Sequence, residues 1–328
     1  MRAVVYTKPG DLDVVEVREV PDPVPGSDDI VVDVAYAGLN RADVLQRQGR
    51  YGAFPTDRPM IPGMEYAGTV AATGTNVSSL HKGDRVFGLV VEGAQAQRLV
   101  APAATACRIP DGLPFSQAGA VPESFMTAWD ALQRAGLAMG DTVIVHAVGS
   151  SVGLAALALV KRAGGQVVGT SRTPDKLERA QALGLDRAVL FDDDWPTVAH
   201  EMSAGRGADI VLDFVGLGTF ERNVAALASR GRIVQIGTLG GPKGTIALGS
   251  FMAKCGSYLG TMLRLRPLHE KVALARDFAH HVVPSLGSGE LAIVVDRVFD
   301  LDRVRDAQQY MEENRNFGKI VLAVTPDG

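Results

Sequence analysis

Through its first 120 or so residues the chain sets apolar against polar positions in short β-branched runs, MRAVVY, LDVVEV, DIVVDVAYAG, YAGTVAATG, GDRVFGLVV and AQRLVAP, parted by Gly, Pro and Asp. This predicts an antiparallel β unit with one short helical insert around 41–48. Near residue 123 the pattern changes. Continuous apolar runs at 142–148, 166–171, 188–191, 208–215 and 231–237 alternate with helical segments at 151–163, 174–183, near 196–203 and at 219–229. Strands without alternation suit a parallel sheet covered on both faces, so an α/β, doubly wound domain is expected. Beyond 266 come a helical stretch at 268–285, a strand at 292–299, a helix with Val304, Ala307 and Met311 on one face, and a strand at 318–324. These extend no βαβ unit, and the chain is expected to return to its first domain. The expected division is 1–122 with 266–328, and 123–265.

The step from the 142–148 strand into the next helix, TVIVHAVGSSVG, has a chemical consequence. Free N–H groups and the dipole at a helix start attract a pyrophosphate. The GxGxxG fingerprint is imperfect here, reading Val148, Gly149, Ser150, Ser151, Val152, Gly153, yet it stands between a strand and a helix as a dinucleotide site requires. The alternative is a plain turn capped by Ser150. At the end of the next strand, GTSRTPDK offers Arg172, Thr173 and Lys176 and no acid at the strand tip. Two cations and a hydroxyl suit a ribose 2′-phosphate, which favours NADP(H) over NAD(H); the competing reading is a solvated helix start. DFVG (213–216) and IGTLGG (236–241) then bring Gly216 and Gly237, Thr238 and Leu239 to strand ends where backbone must approach a ribose and nicotinamide closely.

Composition narrows the partners. The 328 residues carry a formal net charge of −4 with no long Lys/Arg block, so neither nucleic acid nor an anionic membrane surface is expected as a partner. No signal peptide is expected from the N-terminus, and VGLAALALV is too short to span a bilayer, which makes a cytoplasmic location the expectation. The two cysteines, Cys107 and Cys255, lie far apart and rule out a disulfide scaffold or Cys-rich zinc site. The histidines have no Ser or Cys partner motif for a hydrolytic triad, and His146, at the end of a buried strand, is read as structural. One carboxylate raises a question of its own: Glu65 stands alone in IPGMEYAG, and an ion in apolar surroundings must be paired.

LNRADVLQRQGRY (39–51), GMEYAG (63–68), GDRVFGL (83–89), GAVPESFMTAW (119–129), AVGSSVG (147–153), TFERNVAALASRGRIVQIGTLGG (219–241) and YMEENRNFGKIVL (310–322) resemble the medium-chain dehydrogenase/reductase superfamily. The similarity is greatest to its zinc-free, stress-induced quinone oxidoreductases. The resemblance implies a GroES-like β-rich catalytic domain split around a Rossmann domain. It also implies that Asn40 and Met64 stand where zinc-dependent relatives place Cys and His ligands, and these two cannot build a zinc site. Without a Lewis acid to stabilise an alkoxide, alcohol oxidation gives way to hydride transfer onto an acceptor that is already electrophilic. A quinone is expected, an enone, enal or enoyl thioester is the alternative enzyme reading, and an NADPH-binding sensor or scaffold is the non-enzyme reading. The resemblance further implies that Asn40 and Tyr51 border an interdomain cleft, Asn40 as a donor to a substrate carbonyl or an ordinary cap, Tyr51 as a ring stacked on a flat acceptor, a hydroxyl donor to it, or a half-buried surface ring. Thr127 is placed by the nicotinamide ribose, Leu263 and Arg264 are counted with the cofactor-binding residues, and Arg264 either reaches the cleft rim or is an ordinary exposed arginine. Phe191 stands where some NADPH-using relatives have Tyr, leaving Arg172 to compensate. The stretch at 254–263 is expected as an open edge strand that pairs to form a homodimer. Glu65 is expected to persist as a structural anion paired with Arg41 or Arg85.

Overall fold

The computed structural model describes residues 1–55 and 58–325; positions 326–328 of the expected second catalytic segment lie outside them. The chain opens with strands β1 (Arg2–Tyr6), β2 (Val15–Glu19) and β3 (Asp29–Leu39), helix α1 (Arg41–Arg47), and strands β4 (Glu65–Thr73), β5 (Arg85–Leu89), β6 (Arg98–Pro102) and β7 (Ala106–Arg108). Two helices follow, α2 (Phe115–Ala118) and α3 (Pro122–Ala135). Then β8 (Thr142–Val145), α4 (Ser151–Arg162), β9 (Gln166–Ser171), α5 (Pro174–Gln181), β10 (Arg187–Leu190) and α6 (Trp195–Met202) alternate. The alternation goes on through β11 (Ala208–Asp213), α7 (Phe220–Ala226), β12 (Leu227–Gln235), α8 (Leu248–Ala253) and β13 (Ser257–Gly260). Last come α9 (Leu268–His281), α10 (Val283–Gly287), β14 (Val295–Asp300), α11 (Val304–Glu312) and β15 (Lys319–Ala323).

Contacts divide the chain into Met1–Met126 with the segment from Arg266 on, and Thr127–Leu265. In the first unit a seven-stranded sheet runs β14-β15-β3-β4-β5-β7, with β6 also on β3, and β1 pairs with β2. The eleven-residue β3 is the spine, bonded antiparallel to β4, β6 and β15. The sheet departs from the antiparallel expectation at one place: β14 and β15 run parallel. The α11 crossover between them makes this possible, since a parallel pair cannot be joined by a hairpin. Val304, Ala307 and Met311 do face inward, packing with Val4, Val32, Leu39 and Ile320 in one core.

In the second unit six parallel strands are ordered β10-β9-β8-β11-β12-β13. Counted from β8, this is the 3-2-1-4-5-6 order of a dinucleotide-binding sheet, with the reversal between β8 and β11. Ile144, Val168, Val211 and Ile233 pack on Trp195, Phe220 and Val224 from the flanking helices. Among the described residues no helix is long and apolar enough to cross a membrane.

Candidate functional site

Glu65 opens β4 and is 0% exposed. Its partner is not an arginine. Arg41 bonds the Met311 carbonyl at 2.6 Å, and Arg85 bonds the Leu113 carbonyl at 2.5 Å. The Lys319 ammonium, 2% exposed at the start of β15, forms the ion pair with Glu65 Oε1. β15 and β4 flank β3, and the pair closes over β3 at Gly38, where a Cβ would fall 2.7 Å from Lys319 Cε and closer still to the Glu65 carboxylate. Asn40 completes the cluster. Its Nδ2 donates to Glu65 Oε1 at 2.8 Å, and its Oδ1 accepts from Lys319 Nζ at 2.6 Å. Glu65 Oε2 accepts the Glu123 N–H at the start of α3, 2.8 Å away.

Asn40 also precedes α1, and there its backbone N–H donates to Asp43 Oδ2 at 2.8 Å. Asp43 is fully buried, and burial pushes its carboxyl up to about 7, offset in part by the Asn40 N–H and the Lys319 ammonium. Tyr51 stands half-buried in the bend that follows α1.

In the second unit the sequence-predicted phosphate turn follows β8. Ser150 caps α4, its Oγ accepting the Gly153 N–H at 3.1 Å. The capping read as an alternative is therefore present, and it leaves the Ser151 and Val152 N–H groups in the first helical turn, which have no intrahelical acceptor. A Cβ on Gly153 would lie 2.7 Å from the Ala147 and Val148 carbonyl oxygens, so only glycine lets α4 begin this close to the strand end. Ala147 itself holds φ +47, an uncommon conformation for a side-chain-bearing residue. These features fit a pyrophosphate cradle, degraded glycine pattern notwithstanding.

A buried polar chain supports the neighbouring turn. His146 Nε2 meets Asn223 Oδ1 at 2.8 Å, Asn223 Nδ2 donates to Asp213 Oδ2 at 2.8 Å, and Asp213 Oδ1 accepts the N–H groups of Val215 and Gly216 at 2.6 and 3.0 Å. Because Asn223 spends its N–H on Asp213, His146 must donate from Nε2 and accept from the Thr170 hydroxyl at Nδ1, 2.9 Å away. Burial lowers the His146 pKa, consistent with this neutral tautomer and with a structural role. Gly216, at φ +109, packs against the Gly241 carbonyl and Thr238 Cα, so the two glycine turns at the sheet edge do come together. Gly237 is half-buried, while Thr238 and Leu239 are exposed.

Beyond β9, Arg172 is exposed and Thr173 half-buried, its N–H donating to Ser171 Oγ at 3.2 Å. Lys176 is buried at 7% exposure, so the helix start is not simply solvated. Phe191 tilts against Trp195 at 5.4 Å, and the Arg222 guanidinium lies 3.3 Å over the Trp195 ring. Thr127 is buried in α3, Leu263 is buried, and Arg264 is half-buried in the turn Leu263–Leu265. Lys319, Gly38 and the Asp213–Asn223 chain were not among the expected site residues. A lysine opening the apolar GKIVLAV and an acid ending ADIVLD are the signals that point to them.

The residues do not fit zinc. Among the described residues no three His, Cys, Asp or Glu side chains gather as a metal would need. Beside Met64 and Asn40, Glu65 already holds an ammonium and Asp43 accepts the Asn40 N–H. Cys107 is buried, its thiol on the Ala275 carbonyl at 3.5 Å and its pKa pushed up to about 12 by burial, unlike a ligating thiolate.

Two family profiles match: "Alcohol dehydrogenase GroES-like domain" over residues 26–111 and "Zinc-binding dehydrogenase" over 151–280. Mouse quinone oxidoreductase-like protein 2 is 31% identical over 94% of this chain and 88% of its own length. A probable quinone oxidoreductase of Schizosaccharomyces pombe is 30% identical over 99% and 97%. Among solved structures, an NAD-dependent alcohol dehydrogenase superposes with a TM-score of 0.88 at 32% identity, covering 99% of this chain and 100% of its own. A mycobacterial protein complexed with NADPH gives 0.86 at 27%, over 98% and 99%, and the CurK enoyl reductase gives 0.86 at 25%, also over 98% and 99%. With its GroES-like domain, its Rossmann sheet and these relatives, the chain belongs to the medium-chain dehydrogenase/reductase superfamily of oxidoreductases, in the quinone oxidoreductase branch.

Proposed function

We propose that the protein is a zinc-independent, NADPH-dependent quinone oxidoreductase. The observation that carries this reading is the Lys319–Glu65–Asn40 cluster, in which the acid beside Met64 is committed to an ammonium and no Lewis acid can be held. An enzyme so built needs an acceptor that takes hydride without metal activation. When bound, NADPH supplies that hydride. The chain's work is to hold and orient: the first-turn N–H groups of Ser151 and Val152 face the pyrophosphate, with Ser150 and Gly153 shaping the turn. Arg172, Thr173 and Lys176 take the 2′-phosphate, and Gly216, Gly237, Thr238 and Leu239 admit the ribose and nicotinamide. Thr127 meets the nicotinamide ribose, with Leu263 and Arg264 alongside. Asn40 donates to the acceptor carbonyl as negative charge develops there, and Tyr51 packs on the acceptor ring.

The enoyl reductase neighbour supports a second reading, reduction of an activated alkene, in which the same Asn40 hydrogen bond polarises an enone or thioester carbonyl. One panel separates the readings: NADPH and NADH are each tested with quinones, enones and enoyl-CoA. Turnover of quinones with a higher kcat/KM for NADPH is the expected result. NADH equal to or better than NADPH rejects the cofactor assignment, preference for enones or enoyl-CoA selects the second reading, and tight NADPH binding without oxidation by any acceptor would leave a nucleotide sensor.

A further inference from the structure

The Asn40 amide has two chemically different ends, and the structure gives each a different charged partner. Oδ1 faces the Lys319 ammonium and Nδ2 faces the Glu65 carboxylate. A flipped amide would set N–H₂ against the ammonium and carbonyl oxygen against the carboxylate, two repulsive contacts in a buried place. The charges thus select one orientation. Glu65 is itself held by the Glu123 N–H, and the Asn40 main chain is held by Asp43, so neither end can drift. One Nδ2 hydrogen goes to Glu65, and an amide nitrogen carries two. All three residues are buried, and Asn40 is the least so, 8% exposed against 0% for Glu65 and 2% for Lys319.

Stability does not account for such a pair. A buried ion pair gains little over neutral side chains of the same shape, and this one also requires the missing side chain at Gly38. We propose that Lys319 and Glu65 are positioning residues that fix the Asn40 amide so that its second Nδ2–H is aimed, before the acceptor arrives, as the donor to the acceptor's carbonyl oxygen. The inference rests on the reading of Asn40 as that donor. It assigns the pair a use beyond anchoring: preorganisation of a donor whose alternative orientation would present an oxygen to an oxygen.

The test is a kinetic cycle on the full chain with NADPH and 1,2-naphthoquinone, using Asn40→Ala, the charge-neutral double variant Glu65→Gln with Lys319→Met, and the triple variant. The double variant is expected to lose about tenfold in kcat, less than the loss of a whole oxyanion donor, with KM for NADPH unmoved. Asn40→Ala added to it is expected to cost nothing more than Asn40→Ala alone. A double variant with wild-type kcat, or losses that multiply in the triple variant, overturns the proposal. If the wild type turns over no quinone or enone, the functional reading fails by itself, and the positioning is then judged from the ¹⁵N–¹H side-chain amide signals of Asn40, assigned with Asn40→Ala. Displaced or exchange-broadened signals in the double variant support it, and unchanged signals overturn it. Should the double variant not fold, the same spectrum is read on Glu65→Gln alone, where a selective shift of one Asn40 amide proton supports the proposal and no shift overturns it.

Discussion

Gly38 on β3 separates Glu65 on β4 from Lys319 on β15, and the two charges meet because nothing projects from it. The sequence states that Glu65 needs a partner; it does not name one, because Arg41, Arg85 and Lys319 are equally cationic as letters. Strand register makes the choice. The same neighbourhood holds Asp43, whose carboxyl burial pushes up to about 7 from an unfolded value near 3.9. With a folded value above the unfolded one, the native state retains the proton longer, so stability is greatest below about pH 4 in this respect and falls as pH rises toward 7. Asp43→Asn, which can still accept the Asn40 N–H, should remove that fall and raise unfolding free energy at pH 8 by about 2–4 kcal/mol. Urea titrations of both proteins at several pH values check it; parallel pH profiles would contradict it.

The helix α4 and the turn before it form the element we propose for cofactor binding. Its apolar periodicity, its place after a buried strand and its glycine were all legible, and α4 begins at Ser151 as expected. The contact that makes Gly153 necessary was not, since it involves the Ala147 and Val148 carbonyls in a turn of uncommon backbone geometry. Gly153→Ala should push α4 away from the turn and weaken NADPH binding by about tenfold or more, because small displacements of a positioned site are costly. Fluorescence titration with NADPH reads this directly, and an unchanged Kd would show the approach to be unimportant. Elsewhere element reading had limits. Phe125, Ala128, Leu132 and Ala135 are helically spaced and buried in α3, yet no helix was expected there. The parallel β14–β15 pair depends on how α11 crosses, which alternation alone does not encode.

At the scale of the molecule, β13 ends the Rossmann sheet with its outer edge unpaired among the described residues. Tyr258 on that strand and Met252 and Met262 beside it in sequence are 40%, 73% and 48% exposed. An open edge with apolar neighbours invites pairing, and we propose that two copies join there as a homodimer. Light scattering at micromolar concentration should give twice the chain mass; the mass of a single chain would refute the assembly.

The sequence by itself determined the alternating Rossmann unit, the glycines of its turns and the absence of zinc-ligating side chains at residues 40 and 64, because periodicity, backbone permissiveness and side-chain chemistry are local properties. Only the tertiary structure decided that Lys319 answers Glu65, that both bond the Asn40 amide, and that His146 reaches the Gly216 turn through Asn223 and Asp213. Those links join residues distant in the chain, and their selection rests on strand register and on the space left at a single glycine.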